Sequence, residues 1–175
     1  MDTTASDAKT LLGSEYLREL NAEAKATREC LNNVPPDKFD WKPHERSMQL
    51  GYLAILVSDI PRWIQYMIEK NVIDFATYEQ FQGKTADELT AHFDECMDKA
   101  RTALANLSED VIMTDFVLKR GDQVMMTAPV GETISSTINH MVHHRGQLTV
   151  YLRLNDRKVP SIYGPSADGG GFENL

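Results

Sequence analysis

An all-α protein, an antiparallel four-helix bundle with a short β-hairpin inserted before the last helix, is the fold that this 175-residue sequence predicts. Two observations carry that expectation. Four segments repeat apolar residues every three or four positions, the period of one helix face, whereas "VIMTDFVLKRGDQVMMTAPV" (111–130) places two β-prone runs around a glycine-containing turn. Each amphipathic helix must bury its stripe against another, so four of them close into a bundle.

The first helix is expected over residues 14–33, where Leu17, Leu20, Ala24, Thr27 and Leu31 share a face. It stops at "NNVPPDKFDWKPHERS", whose prolines forbid continuation. The second runs over 48–69 with Leu53, Leu56, Val57, Ile60, Ile64 and Met67 inward, Ser47 as its N-cap, and a kink near Val57 imposed by Pro61. Thr85 and Glu88 have the spacing of a capping box, and Leu89, Phe93, Cys96, Met97, Ala100 and Leu104 continue the third helix. The hairpin occupies 111–130, a fourth helix runs from about 132 to 155, and the Gly/Pro-rich tail packs on the body before becoming mobile. A single domain spanning 1–175, with its core in 14–168 and flexible termini, accommodates all of these.

Composition narrows the function classes. The formal net charge is −8 and no run of Lys or Arg occurs, so a nucleic-acid partner is not expected. The longest apolar run, Tyr52 to Val57, is too short to cross a membrane, and the first residues lack the features of a secretory leader. With two cysteines, Cys30 and Cys96, in no C-x-x-C spacing, a cytoplasmic address is expected, with both thiols acting as small buried hydrophobes.

The chemistry concentrates in "INHMVHHRGQLTVYL" (138–152). At about 100° per residue, Ile134, Ile138, Met141, Leu148 and Leu152 form the inward stripe. His140 and His144 stand one above the other on its border, and His143 points away. Such an i, i+4 pair can donate two ligands to a divalent ion, or it can be satisfied by neighbouring backbone or carboxylate. Two ligands do not complete a zinc-like site, and no H-E-x-x-H motif is present. Arg145 falls within the stripe, where a guanidinium must be paired; it is either a structural ion pair or an anchor for an anion.

"HMVHHRGQLTVYLRL" followed by "VPSIYGPSAD", together with "KPHERSMQLGYLAILVSDIPRW", resembles the DinB/YfiT-like family, DNA-damage-inducible proteins unrelated to the polymerase that shares the name. The resemblance spans residues 14–168. It implies a four-helix bundle carrying a divalent metal, often nickel or zinc, on three histidines: one from helix two and an H-x-x-x-H pair from helix four. It further implies thiol-dependent chemistry, as in bacillithiol S-transferases and mycothiol-dependent isomerases, and commonly a homodimer. His140 and His144 match the pair, but Leu56 occupies the helix-two ligand position, and leucine cannot coordinate. His92 and Asp59 are weak substitutes, more simply read as a hydrogen-bonded core histidine and an Arg-paired carboxylate; His44 is a loop residue.

The expectation is therefore a stress-associated, small-molecule-binding bundle whose divalent-metal site is incomplete. The alternative is a metal-dependent thiol S-transferase or hydrolase using His140 and His144, a low-molecular-weight thiol, and Arg145 or Tyr151 to orient the second substrate.

Overall fold

The computed structural model describes residues 10–169. Its helices are α1 (Leu11–Asn32), α2 (Leu50–Lys70), α3 (Ala86–Ala105), the single turn α4 (Glu109–Ile112) and α5 (Val130–Leu154). Its strands are β1 (Val72–Asp74), β2 (Asp115–Arg120) and β3 (Gln123–Pro129), in the order β1-β2-β3. The expectation of an all-α chain is thus corrected to a mostly helical one with a small sheet. The hairpin falls where its sequence places it, with Gly121 at φ 58° in the two-residue turn and an irregularity between Leu118 and Lys119. The unexpected member is β1, which pairs in parallel with β2 through Val72–Val117, Ile73–Leu118 and Asp74–Lys119. Three residues are too few to show a period, and a parallel partner lies a whole crossover away, here through α3 and α4.

The long helices pack with α2 against α3 and α5, and with α1 against the same two. Their stripes meet in one core that includes Leu20, Leu31, Leu53, Ile60, Ile64, Phe93, Met97, Ile134, Met141 and Leu148, joined by Ile73 and Phe116 from the sheet. Ser47 is not the cap of α2. Gln49 takes that position without a side-chain bond, and the first N–H groups are satisfied by folding the preceding loop back: Leu50 donates to the Trp41 carbonyl at 2.8 Å and Gly51 to that of Phe39 at 2.9 Å. Gly51 is required there, because a Cβ would collide with the Phe39 ring. Pro61 lies inside α2 without interrupting it. The tail packs on the body through Asp168, which pairs with Arg153 at 2.5 Å and accepts the Val159 N–H at 2.9 Å. The expected mobile ends fall on residues 1–9 and 170–175, outside the described residues.

The capping box forms as its spacing predicts. Thr85 Oγ1 accepts from the Glu88 N–H at 3.2 Å, and the Glu88 carboxylate accepts from the Thr85 N–H at 3.1 Å. Replacing Thr85 with Ala should cost about 1 kcal/mol. Urea unfolding followed by far-UV circular dichroism should show the lower midpoint with an unchanged slope.

Candidate metal centre

Two clusters of potential ligands arise, each from an i, i+4 pair on one helix. On α5, His140 Nε2 and His144 Nε2 lie 2.7 Å apart, so one ring donates to the other. His144 Nδ1 meets the Gln147 side-chain oxygen at 2.7 Å, which orients the ring. His144 is buried and His140 half-buried against Trp63, with ring centroids 5.6 Å apart. Burial first, then the neighbouring His144 and His143, hold His140 below the ordinary imidazole range. His143 is exposed, as its phase on the helix predicts.

The second cluster lies between α2 and α3. His92 Nε2 is 2.7 Å from Asp59 Oδ1 and 3.4 Å from Cys96 Sγ. Among the described residues this is the one group of three His, Cys, Asp or Glu side chains whose ligand atoms all lie within 4.8 Å of one another. The Asp59 carboxylate is 3% exposed and fully engaged. Tyr78 donates to Oδ2 at 2.5 Å, and Arg62 Nη2 lies 3.0 Å from Oδ1 and 3.1 Å from Oδ2. Desolvation opposes the charge, but hydrogen bonds from His92 and Tyr78 and the Arg62 cation outweigh it and leave the carboxyl below its usual range. Tyr78 is itself fixed by accepting from Trp63 Nε1 and Arg62 Nε, each at 2.9 Å. Phe81 stacks on the His92 ring at 3.9 Å and 5°.

His92 and Asp59, considered as substitutes for the missing helix-two ligand, therefore bind each other and leave the α5 pair without a third donor. The three-histidine set that the resemblance implies is not assembled among the described residues. Leu56 occupies the wall of a cavity of about 310 Å³ shared with Tyr52, Asp59, Trp63, Tyr78 and Arg120. It is half-buried, not a sealed core residue as its place in the α2 stripe suggests. A larger cavity of about 630 Å³ lies between α1 and the C-terminal segment and is lined by neither cluster.

Arg145 and Tyr151 turn to structural work. Arg145, 1% exposed, donates from Nη1 to Glu23 at 2.5 Å and to Thr27 Oγ1 at 3.2 Å, and from Nη2 to the Tyr163 hydroxyl at 2.9 Å. Tyr163 passes its own proton toward the Glu23 carboxylate at 3.0 Å. Tyr151 packs edge-on to Trp41 and donates to the Met48 carbonyl at 3.3 Å. His44 lies in an exposed loop, its Nδ1 accepting from the Arg46 N–H at 3.1 Å. Cys30 is buried, and burial pushes its thiol up to about 12. Cys96 is buried, as expected, but it also lies beside His92 and Asp59, a grouping that sequence reasoning missed. The His92–Cys96 spacing repeats that of His140–His144 and could have revealed it, given that Asp59 faces α3.

Comparison with known proteins places these features. The model of the DinB family matches residues 1–169. The uncharacterized protein YrdA of Bacillus subtilis is 26% identical over 161 residues, covering 87% of this chain and 89% of its own length. The crystal structure of the DinB-like protein YjoA of Bacillus subtilis superposes with a TM-score of 0.68 at 16% identity, covering 86% of this chain and 99% of that one. A DinB-like protein from Bacillus cereus gives 0.66 at 20% identity, covering 89% and 99%.

Removing Glu23 as Glu23→Ala strands a buried guanidinium and should destabilise the protein by about 3–5 kcal/mol. Thermal melting checks it: a midpoint close to wild type would show that Arg145 finds another partner.

Proposed function

Because the chain belongs to the DinB family, we propose that it is a small-molecule-binding protein whose four long helices form that family's antiparallel bundle and whose α5 histidine pair is an incomplete divalent-metal site. The observation that carries this reading is Leu56. It stands where the resemblance calls for a third imidazole, and no other donor joins His140 and His144 among the described residues. With two imidazoles 2.7 Å apart, the pair is satisfied as a hydrogen bond. To share an ion at about 2.0–2.1 Å from each nitrogen, the rings would have to open to roughly 3.3 Å.

What remains is the cavity beside Leu56. Tyr52, Trp63 and Tyr78 give it aromatic walls, and Arg120 adds a cation, a combination suited to a small molecule with an apolar body and an anionic group. The His140 ring, in contact with Trp63, supplies a neutral imidazole nearby. The metal-dependent thiol transferase or hydrolase is the second reading. It requires His140 and His144 to hold nickel or zinc with the thiol itself filling the missing position.

Calorimetric titration of nickel or zinc into protein free of a histidine tag separates the two. We expect no tight component that disappears in His140→Ala and His144→Ala, and a clear gain in Leu56→His, which restores a third donor at a half-buried position. One tightly held ion per wild-type chain, lost in either histidine variant, would establish the transferase reading instead. Absence of any gain in a folded Leu56→His would remove the equivalence of position 56 with the family ligand.

A further inference from the structure

We propose that Asp59 Oδ1, His92 Nε2 and Cys96 Sγ form a three-donor site for a soft divalent cation of the zinc type, built from α2 and α3 and independent of the α5 histidine pair. The arrangement is not a proton relay. In a nucleophile–histidine–carboxylate relay the imidazole uses its two nitrogens for its two partners, one for each. Here carboxylate and thiol converge on the same nitrogen, at 2.7 and 3.4 Å. One Nε2 carries either a proton or a lone pair, so it cannot donate to Asp59 and accept from the Cys96 thiol together. A cation in place of the proton bonds to all three.

The dimensions suit such an ion. Tetrahedral zinc, with bonds of about 2.3 Å to sulfur and 2.0–2.1 Å to nitrogen, sets the two donors roughly 3.5 Å apart, close to the His92–Cys96 distance found. The Asp59–His92 pair must open to roughly 3.3 Å, a small side-chain movement. The surrounding contacts already hold two of the three ligands in place. Tyr78 and Arg62 grip Asp59, and Phe81 fixes the plane of the His92 ring. Once Cys96 is a thiolate, Asp59, Arg62 and Cys96 together leave one net negative charge, which favours a cation.

Without an ion, burial and the Asp59 charge push the Cys96 thiol up to about 12, so the free cluster holds a neutral thiol. Binding breaks the S–H bond and releases that proton to solvent, leaves the imidazole proton on Nδ1 so that the Nε2 lone pair is free, and forms three metal–ligand bonds with no change of oxidation state. Mixed O, N and S donors select zinc or cobalt over magnesium or calcium. The fourth position stays open, and Asp59 lines the neighbouring cavity.

The test is titration of cobalt(II) alone into the untagged full chain in a Cys30→Ala background, which leaves Cys96 as the sole thiol. The expected result is a thiolate-to-cobalt charge-transfer absorption that saturates at one ion per chain, is bleached by zinc, survives His140→Ala/His144→Ala, and vanishes in Cys96→Ser. His92→Ala should weaken binding by more than the roughly 10–100-fold typical of losing a supporting residue. No charge-transfer band in the parent, a band that persists in Cys96→Ser, or one lost with the α5 histidines would overturn the proposal. Melting curves verify that each variant is folded. Should Cys96→Ser fail to fold, X-ray absorption of the zinc-loaded parent decides the matter: one sulfur at about 2.3 Å supports the site, and oxygen and nitrogen alone refute it.

Discussion

A carboxylate sealed between two helices has to be surrounded by donors, and Asp59 is the residue around which this molecule arranges its chemistry. Leaving such a charge unpaired would cost far more than any single contact returns. Its three partners come from three parts of the chain: Arg62 from α2, His92 from α3, and Tyr78 from the segment after β1. Satisfying one oxygen pair therefore fixes the α2–α3 interface and the course of the connection between β1 and α3. Through Tyr78 the same network reaches Trp63, and through Trp63 the ring of His140, so the two histidine-bearing clusters share one aromatic bridge.

The opposite side of the helical body is organised by a second buried charge. Arg145 ties α5 to Glu23 and Thr27 of α1, leaving Nε as a buried side-chain atom without a hydrogen-bond partner among the described residues. That arrangement gains specificity more than net stability, since a buried ion pair roughly offsets its own desolvation. It acts with the apolar stripe of α5, which faces the core and leaves His140 and His144 at its edge and His143 in solvent.

The periodic features were readable without coordinates. The helical stripes, the Thr85–Glu88 box, the Gly121 turn and the phase of the α5 histidines are all local, written in spacings of three, four or two residues. Features that depend on distant chain segments were not. Strand β1 is three residues long and takes its meaning from β2, forty-odd positions later. The N-terminus of α2 relies on carbonyls of Phe39 and Trp41, so Ser47 was a reasonable but wrong cap. Cys96 looked like core because it is core; only the fold reveals that Asp59 and His92 arrive beside it. Leu56 was recognisable as a departure from its family's pattern, but its place on a cavity wall was not.

Tyr163 has the exposure of a loose surface residue, 75%, while its hydroxyl accepts from Arg145, the most buried cation among the described residues. Beside the Asp168–Arg153 pair, the C-terminal segment is thus fastened to the buried pair by one atom at the end of a rigid ring. Such a tether is strong in direction and cheap in area: it closes the Glu23–Arg145 pair against water without committing the segment to the core. The stretch around Tyr163 behaves as a stopper, whose seating depends on a charge balance deep inside and whose release would admit solvent to that balance first.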